Sequence, residues 1–228
     1  MAKFKYYYDL MSQPSRALWI ALRLGKIPYE DCPVALRKSE QLKPEYQQIN
    51  RFQKVPALVD GDFHLGESVA IVRYLADKGQ FSEQLYPKAL EQRARVDEFL
   101  EWQHLGVRLG CATYFLDMWL LPMNGIKPKP SAEKAAILSK NMESQLKILE
   151  EIWLKDTPFV VDNKMTVADL FGACEVEQIK LAHYDVGKKF PKIAEWMQRV
   201  RAQANPHYDA AHEFIYKKSG MKPSNSKL

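Results

Sequence analysis

Hydrophobic positions follow one rhythm in the first third of this chain and another in the rest. Residues 3–8, rich in aromatic side chains, predict a strand. Leu18, Ala21, Leu22 and Gly25 recur at helical spacing and predict a helix over 14–25 that stops at the glycine. Residues 29–34 predict a second strand, and the polar segment 40–48 a second helix. Between 55 and 65 two short apolar runs meet at Asp60-Gly61, the dipeptide that most strongly favours a hairpin. Glu67-Ser68 then opens a helix over 69–78. Strand, helix, strand, helix, hairpin, helix is the order of an α/β sheet layered with helices, which makes residues 1–80 one compact domain.

Residues 79–89 contain Gly and Pro without a clear period and read as a linker. Beyond it the chain is helical, so residues 89–228 predict an all-α second domain. One helix is expected over 90–121 and another over 131–155, where Leu138, Met142, Leu146, Leu149 and Trp153 line one face, with the Gly- and Pro-containing segment 124–130 between them. Two shorter helices are expected over 190–202 and 208–218, and the last ten residues are polar and expected to fray. At Met165-Thr-Val-Ala-Asp-Leu170, Thr166 and Asp169 are spaced to cap each other's backbone N–H, with Met165 and Leu170 as a hydrophobic staple. That pattern nucleates a core helix and is folding chemistry rather than catalysis.

Hydrophobic residues at 46% and charged residues at 27% describe an ordinary globular protein. The net charge is +5, but 33 Lys and Arg are interspersed with 28 Asp and Glu, so no basic block tracks a phosphate backbone and nucleic acid is not an expected partner. The excess charge suits small anions drawn to a cleft. Cys32, Cys111 and Cys174 lie far apart, without the spacing of a disulfide framework or a zinc site, and read as reduced thiols; no metal is expected. No signal segment precedes a cleavage site and no apolar run approaches the ~18 residues of a membrane span, so the expected location is the cytosol, with no membrane partner.

The chemistry starts at the first strand–helix junction. Tyr6 to Ser15 reads Tyr-Tyr-Tyr-Asp-Leu-Met-Ser-Gln-Pro-Ser, which puts the Ser12 hydroxyl where a helix begins and Pro14 in its first turn. Unpaired N–H groups and the positive end of the helix dipole favour an anion there. Glu67 and Ser68 occupy an equivalent helix start, able to meet a carboxylate with N–H groups and a hydroxyl while Glu67 faces an ammonium. Read by themselves, both features also describe ordinary helix caps.

Tyr8-Asp-Leu-Met-Ser12-Gln-Pro-Ser-Arg16, Lys54-Val-Pro-Ala57, Asp60-Gly-Asp-Phe63, Glu67-Ser-Val-Ala-Ile71, Arg93-Ala-Arg-Val-Asp-Glu98, Trp102-Gln-His104 and Thr166-Val-Ala-Asp-Leu170 stand together in family order, and with them the chain resembles a theta-class glutathione transferase of insect type. The resemblance implies a thioredoxin-like N-terminal domain carrying the glutathione site, an all-helical C-terminal domain carrying most of the electrophile site, a two-fold homodimer and a detoxifying activity. It implies that Ser12 donates a hydrogen bond to the glutathione sulfur and keeps it as the thiolate, the nucleophilic form. Tyr6, Tyr7 and Tyr8 are rival donors, since other classes of the family use a strand-borne tyrosine. The resemblance further implies a cis Val55-Pro56 bond beside a Val55 backbone that pairs with the cysteinyl unit, Glu67 and Ser68 on the γ-glutamyl end, and Lys54 and Gln41 near the glycyl carboxylate. Several relatives carry histidine where this chain has Gln41.

For the electrophile, the implied wall is Met11 with Leu105, Arg108, Cys111 and Ala112 on the long first helix of the second domain, Arg108 holding an anionic leaving group. Vertebrate theta enzymes continue into a further helix over the site, whereas this chain stops at Leu228 in a polar tail, which implies a more open pocket that admits bulkier electrophiles. The implied reaction is attack of the thiolate on halides, epoxides or activated aromatics, with peroxide reduction as a side activity. A non-catalytic dimerising or ligand-carrying relative is the alternative. Retention of Ser12, Lys54, Val55-Pro56 and Glu67-Ser68 favours the enzyme, and thiol–disulfide exchange would want a cysteine at position 12.

Overall fold

The structure is a computed structural model that describes residues 3–221, so most of the tail expected to fray lies outside the described residues. Strands β1 (Phe4–Tyr8), β2 (Tyr29–Pro33), β3 (Ala57–Asp60) and β4 (Phe63–Leu65) form one mixed sheet in the order β2-β1-β3-β4. β1 runs parallel to β2, from Phe4 opposite Tyr29 to Tyr8 opposite Pro33, because helix α1 (Gln13–Leu24) carries the chain back across the sheet. β3 pairs antiparallel with β1, Tyr7 facing Ala57, and with β4 through the predicted hairpin, where Gly61 takes the left-handed conformation at φ +61°. Along β1, Phe4 and Tyr6 are buried while Lys5 is exposed, the alternation that a strand requires when one face meets a core. Helix α2 (Pro44–Ile49) and helix α3 (Ser68–Asp77) complete this half.

The segment 40–48, expected as one helix, is broken. Short 3₁₀ turns at Leu36–Lys38 and Glu40–Leu42 precede α2, since Pro44 offers no N–H to a preceding helix and holds Lys43 extended at ψ 148°. The long helix expected over 90–121 is also broken, into α4 (Leu90–Leu105) and α5 (Val107–Phe115) at Gly106, whose φ of −89° and ψ of −116° leave the helical region. A Cβ at Gly106 would lie 2.8 Å from the Trp102 indole, so only glycine passes there. A π-turn at Leu116–Leu120 and the short α6 (Leu121–Met123) follow. α7 (Ala132–Ile148) likewise ends in a π-turn at Leu149–Trp153, and Leu138, Met142, Leu146 and Leu149 are its buried face as expected.

The centre of the helical half is α8 (Val167–Gln178), in which every residue is buried. Gly172 lets neighbours close on it, for a Cβ there would meet Phe99 at 2.9 Å and Trp196 at 3.1 Å. The Thr166–Asp169 capping box forms as expected. One Asp169 oxygen accepts from the Thr166 N–H at 2.8 Å, and the other from the Val160 N–H at 2.9 Å and the Trp196 indole N–H at 2.8 Å. Helices α9 (Pro191–Ala204) and α10 (His207–Ser219) close the core. α1 packs on α8, which joins the sheet half to the helical half.

Asp169 is wholly buried and ties three separate stretches of chain, so its removal orphans several donors at once. Asp169→Ala is expected to cost about 3 to 5 kcal/mol in urea denaturation; a loss below about 1 kcal/mol, the value of an isolated cap, would contradict this account of the core.

Candidate active site

The end of β1 is shaped around Ser12. The Met11 N–H donates to the Asp9 carboxylate at 2.8 Å and the Ser12 N–H to the Asp9 carbonyl at 3.0 Å, which turns the chain into α1. Ser12 is the N-cap, extended at φ −84° and ψ 123°, and its hydroxyl oxygen accepts from the Ser15 N–H at 3.4 Å. Its proton points to the Val55 carbonyl at 3.5 Å. Both contacts are long, so the hydroxyl is weakly held inside the chain and retains donor capacity. The neighbouring Arg16 is fully buried and pins the loop from below: one guanidinium nitrogen donates to the Leu10 and Met11 carbonyls at 2.7 and 3.3 Å, the other to the Cys174 carbonyl at 3.1 Å and to Gln178 at 2.5 Å.

The rival tyrosines have other commitments. The Tyr6 hydroxyl is buried and donates to the Ser15 carbonyl at 2.8 Å, and burial pushes its pKa well above the ordinary value. Tyr8 donates to Asp31 at 3.0 Å, and burial with that carboxylate raises its pKa as well. Tyr7, on the opposite face of β1, packs edge-on against Tyr46, and its pKa is raised by burial first and then by the nearby Cys32.

Across from Ser12, the Val55–Pro56 bond is cis. The Lys54 carbonyl is held by the Tyr46 hydroxyl and the Asn50 amide, each at 2.8 Å, while the Asn50 side-chain oxygen accepts from the Phe52 N–H at 3.0 Å. Asn50 also brings this loop against the turn before α3: a Cβ on Gly66 would sit 3.1 Å from that same oxygen. Glu67 follows at φ +59°, a conformation that costs a non-glycine residue about 1 to 3 kcal/mol and recurs at ligand sites. Ser68 is buried as the first residue of α3, whose first N–H groups lack intrahelical partners. The Gln41 side-chain oxygen is buried without a hydrogen-bond partner, and the Lys54 side chain is exposed. Ser12, Val55, Lys54, Glu67 and Ser68 are thus brought together through Asn50 and the Ser12–Val55 contact. Asp9, Arg16, Tyr46 and Asn50, which organise the site, were missed as functional positions. For Asp9 and Arg16 the signal was their place on either side of Ser12 in one motif.

The residues expected to face the electrophile divide. Met11, Arg108 and Ala112 are half-buried, Leu105 is 79% exposed at the end of α4, and Cys111 is 0% exposed. Cys111 therefore packs in the core behind any open wall, where burial pushes its thiol pKa well up. The Gly106 break also places Leu105 on α4 and the other three helical residues on α5. Arg108 makes a 3.4 Å ion pair with Glu175, a buried α8 carboxylate whose pKa burial pushes up to about 7 against the opposing pull of Arg108 and Arg16. Burial, then Arg108, lowers the pKa of the neighbouring His104. Among the described residues no group of three His, Cys, Asp or Glu side chains is arranged to hold a metal ion, and no helix is long and apolar enough to cross a membrane.

A mixed four-stranded sheet that presents a helix N-terminus, a weakly held hydroxyl and a cis-proline loop, backed by an all-helical half, is the architecture of the glutathione transferases. Two family models agree: glutathione S-transferase, N-terminal domain, over residues 2–77, and glutathione S-transferase, C-terminal domain, over residues 114–204. The chain belongs to the glutathione S-transferase family and is a glutathione S-transferase of the theta class. It is 39% identical over 223 residues to glutathione S-transferase theta-1 of Bos taurus, covering 97% of this chain and 92% of that one. It is 37% identical over 218 residues to theta-3 of Mus musculus, covering 95% and 90%. The fold superimposes on human glutathione-S-transferase T1-1 with a TM-score of 0.89 at 36% identity, over 97% of this chain and 93% of that one. Human theta-2, solved in complex with glutathione and an unknown ligand, superimposes with a TM-score of 0.88 at 34% identity, over 95% and 89%.

Glu175 provides a test of the site's electrostatics. Its folded pKa lies above that of an unfolded glutamate, so its contribution to stability is fully present below about pH 4.3 and is lost as pH rises through about 7. Replacing it with an uncharged amide removes that loss. The stability difference between Glu175→Gln and the wild type is expected to move in the variant's favour by roughly 3 kcal/mol between pH 4 and pH 8. Urea melts at the two pH values that show no such movement would contradict the assignment.

Proposed function

We propose that Ser12 donates a hydrogen bond to the sulfur of bound glutathione, holding it as the thiolate that attacks an electrophilic carbon. The observation that carries this reading is the state of the hydroxyl: its internal contacts at 3.4 and 3.5 Å are weak, while the Tyr6 and Tyr8 hydroxyls already donate elsewhere at 2.8 and 3.0 Å. In this reading the γ-glutamyl carboxylate meets Ser68 and the α3 N–H groups while its ammonium faces Glu67. The cysteinyl backbone pairs with Val55 in the manner of an added strand, and the glycyl carboxylate lies toward Lys54 and Gln41.

The thiol proton leaves to solvent on binding. The sulfur then forms a carbon–sulfur bond as the carbon releases halide, or as an epoxide ring opens and its oxygen takes a proton from water. Lowering the thiol pKa by about 2 units needs about 2.7 kcal/mol of preferential anion stabilisation, within reach of one charge-assisted hydrogen bond and the α1 dipole together. The same thiolate, with a second glutathione as reductant, serves peroxide reduction and leaves glutathione disulfide.

Met11, Leu105, Arg108 and Ala112 form the electrophile wall in this proposal, with Cys111 packed behind it, and Arg108 receives the negative charge of the departing group. The proposal places the domain boundary in segment 79–89 and has the enzyme act as a cytosolic homodimer in detoxification. The insect type rests on the sequence motifs alone.

Thiolate absorbance titrations in the presence of glutathione test the central step. Ser12→Ala, which leaves the α1 dipole in place, is expected to raise the apparent thiol pKa by about 1 to 2 units and to lower kcat/KM at neutral pH by about ten- to fiftyfold. An unchanged pKa in Ser12→Ala, with activity lost instead in Tyr7→Phe or Tyr8→Phe, would overturn it. Arg108→Ala is expected to slow substrates that release an anion by about tenfold or more relative to epoxides, as removal of one charged hydrogen bond implies; equal effects on both classes, measured as kcat/KM, would remove its role.

A further inference from the structure

Two loops supply opposite ends of the glutathione site, and one carboxylate holds both. β1 and β2 remain paired to their ends, and the ladder continues one step further where the Val34 N–H donates to the Tyr8 carbonyl at 2.8 Å. There the strands part: one chain turns toward Ser12, the other enters the 3₁₀ turns that lead to Gln41. At the parting point the Asp9 side chain replaces the backbone ladder. One of its oxygens accepts from the Met11 N–H at 2.8 Å and the other from the Leu36 N–H at 2.9 Å. The next carboxylate along the second loop, Glu40, accepts from the Ala35 N–H at 2.7 Å and folds that loop back on itself.

We propose that Asp9 is a positioning residue for conjugation, which fixes the Ser12 turn and the Gln41 loop in register so that one glutathione can engage both. The inference rests on the reading that Ser12 meets the sulfur and Gln41 the glycyl end. The Asp9 carboxylate touches neither the sulfur nor the glycyl end in this scheme; it acts through the Met11 and Leu36 amides. A neutral side chain cannot do this equally well, since two N–H donors converge on one residue and a carboxylate is an acceptor on both oxygens. The two bonds are charge-assisted and shorter than any contact the Ser12 hydroxyl makes, so Asp9, with Arg16 beneath, sets where that hydroxyl sits. Glu40 shapes the Gln41 loop alone, which leaves Asp9 as the link between the loops.

Two variants separate the ends. Asp9→Ala removes both bonds. Leu36→Pro removes the N–H that donates to Asp9 on the Gln41 side and leaves the Met11 bond, and proline suits the first position of the 3₁₀ turn that Leu36 opens, with Ala35 before it outside the helical region at φ −78° and ψ 90°. Asp9→Ala is expected to raise KM for glutathione and the apparent thiol pKa together, by about tenfold and about one unit, as loss of a charged hydrogen bond implies. Leu36→Pro is expected to raise KM severalfold and leave the thiol pKa at the wild-type value. A merely structural Asp9 would lower the melting temperature while the folded variant kept wild-type KM and thiol pKa, and that result overturns the proposal. A wild-type KM in Leu36→Pro also overturns it, and decides the matter if Asp9→Ala does not fold. Ser12→Ala in the same titration keeps the two readings apart. If it shifts the thiol pKa and Asp9→Ala does not, the Asp9 inference fails alone; if Ser12→Ala leaves the pKa unchanged, the Ser12 reading fails, while KM in Leu36→Pro still judges the Asp9 link.

Discussion

A buried guanidinium holds the turn at Ser12 in place. Arg16 sits in the second turn of α1 with no exposed surface and spends its donors on the loop before Ser12 and on α8, 158 and 162 residues away in sequence. A buried cation is costly unless it is engaged, and here neutral carbonyls and an amide engage both terminal nitrogens, while Nε finds no hydrogen-bond partner among the described residues and Glu175 is a nearby opposite charge. The position of the Ser12 turn is therefore decided by the packing of the helical half as much as by the strand that precedes it. Without that bond the turn would be an exposed loop at the end of a sheet, and loops of that kind do not hold a hydroxyl to within a fraction of an ångström.

Charge is distributed around α8 in a related way. Glu175 and Glu177 are both buried on this helix, the first paired with Arg108 and the second with Lys180 and the Tyr208 hydroxyl. Arg108 and Lys180 are thus paired with α8 carboxylates, while Arg16, held by carbonyls and an amide, brings a further positive charge behind the Ser12 turn. Asp9, on the outer side of the same loop, spends its negative charge on two backbone amides. Two elements of opposite sign therefore grip the turn, one from the core and one from the rim.

The sheet half was legible because its signals are local. Alternation in β1, the Asp60-Gly61 turn and the start of α3 each depend on neighbouring residues, and each appears where the pattern predicts. The hidden features depend on contacts between distant residues. Gly106 breaks a helix because the Trp102 ring leaves no room for a Cβ, and nothing in a helical periodicity announces that ring's rotamer. The chemistry divides in the same manner. Ser12 and Ser68 announce themselves by their place at helix starts, and Pro56 through the motif around it. Arg16 shares the Ser12 motif, but what it holds, like the pairing of Glu175, does not show in the sequence, because their partners on other helices are set only when α1, α5 and α8 pack together. Cys111, which periodicity cannot tell from a pocket residue, falls on the inward side of α5 for the same reason.

The proposed chemistry depends on where the Ser12 oxygen points when glutathione is bound. A crystal structure of the glutathione complex measures this directly. The Ser12 Oγ is expected within hydrogen-bonding distance of the glutathione sulfur, no longer directed at the Val55 carbonyl, while the Tyr6 and Tyr8 hydroxyls keep their present acceptors. A complex in which Ser12 remains turned to Val55 and the sulfur rests against a tyrosine hydroxyl would contradict it.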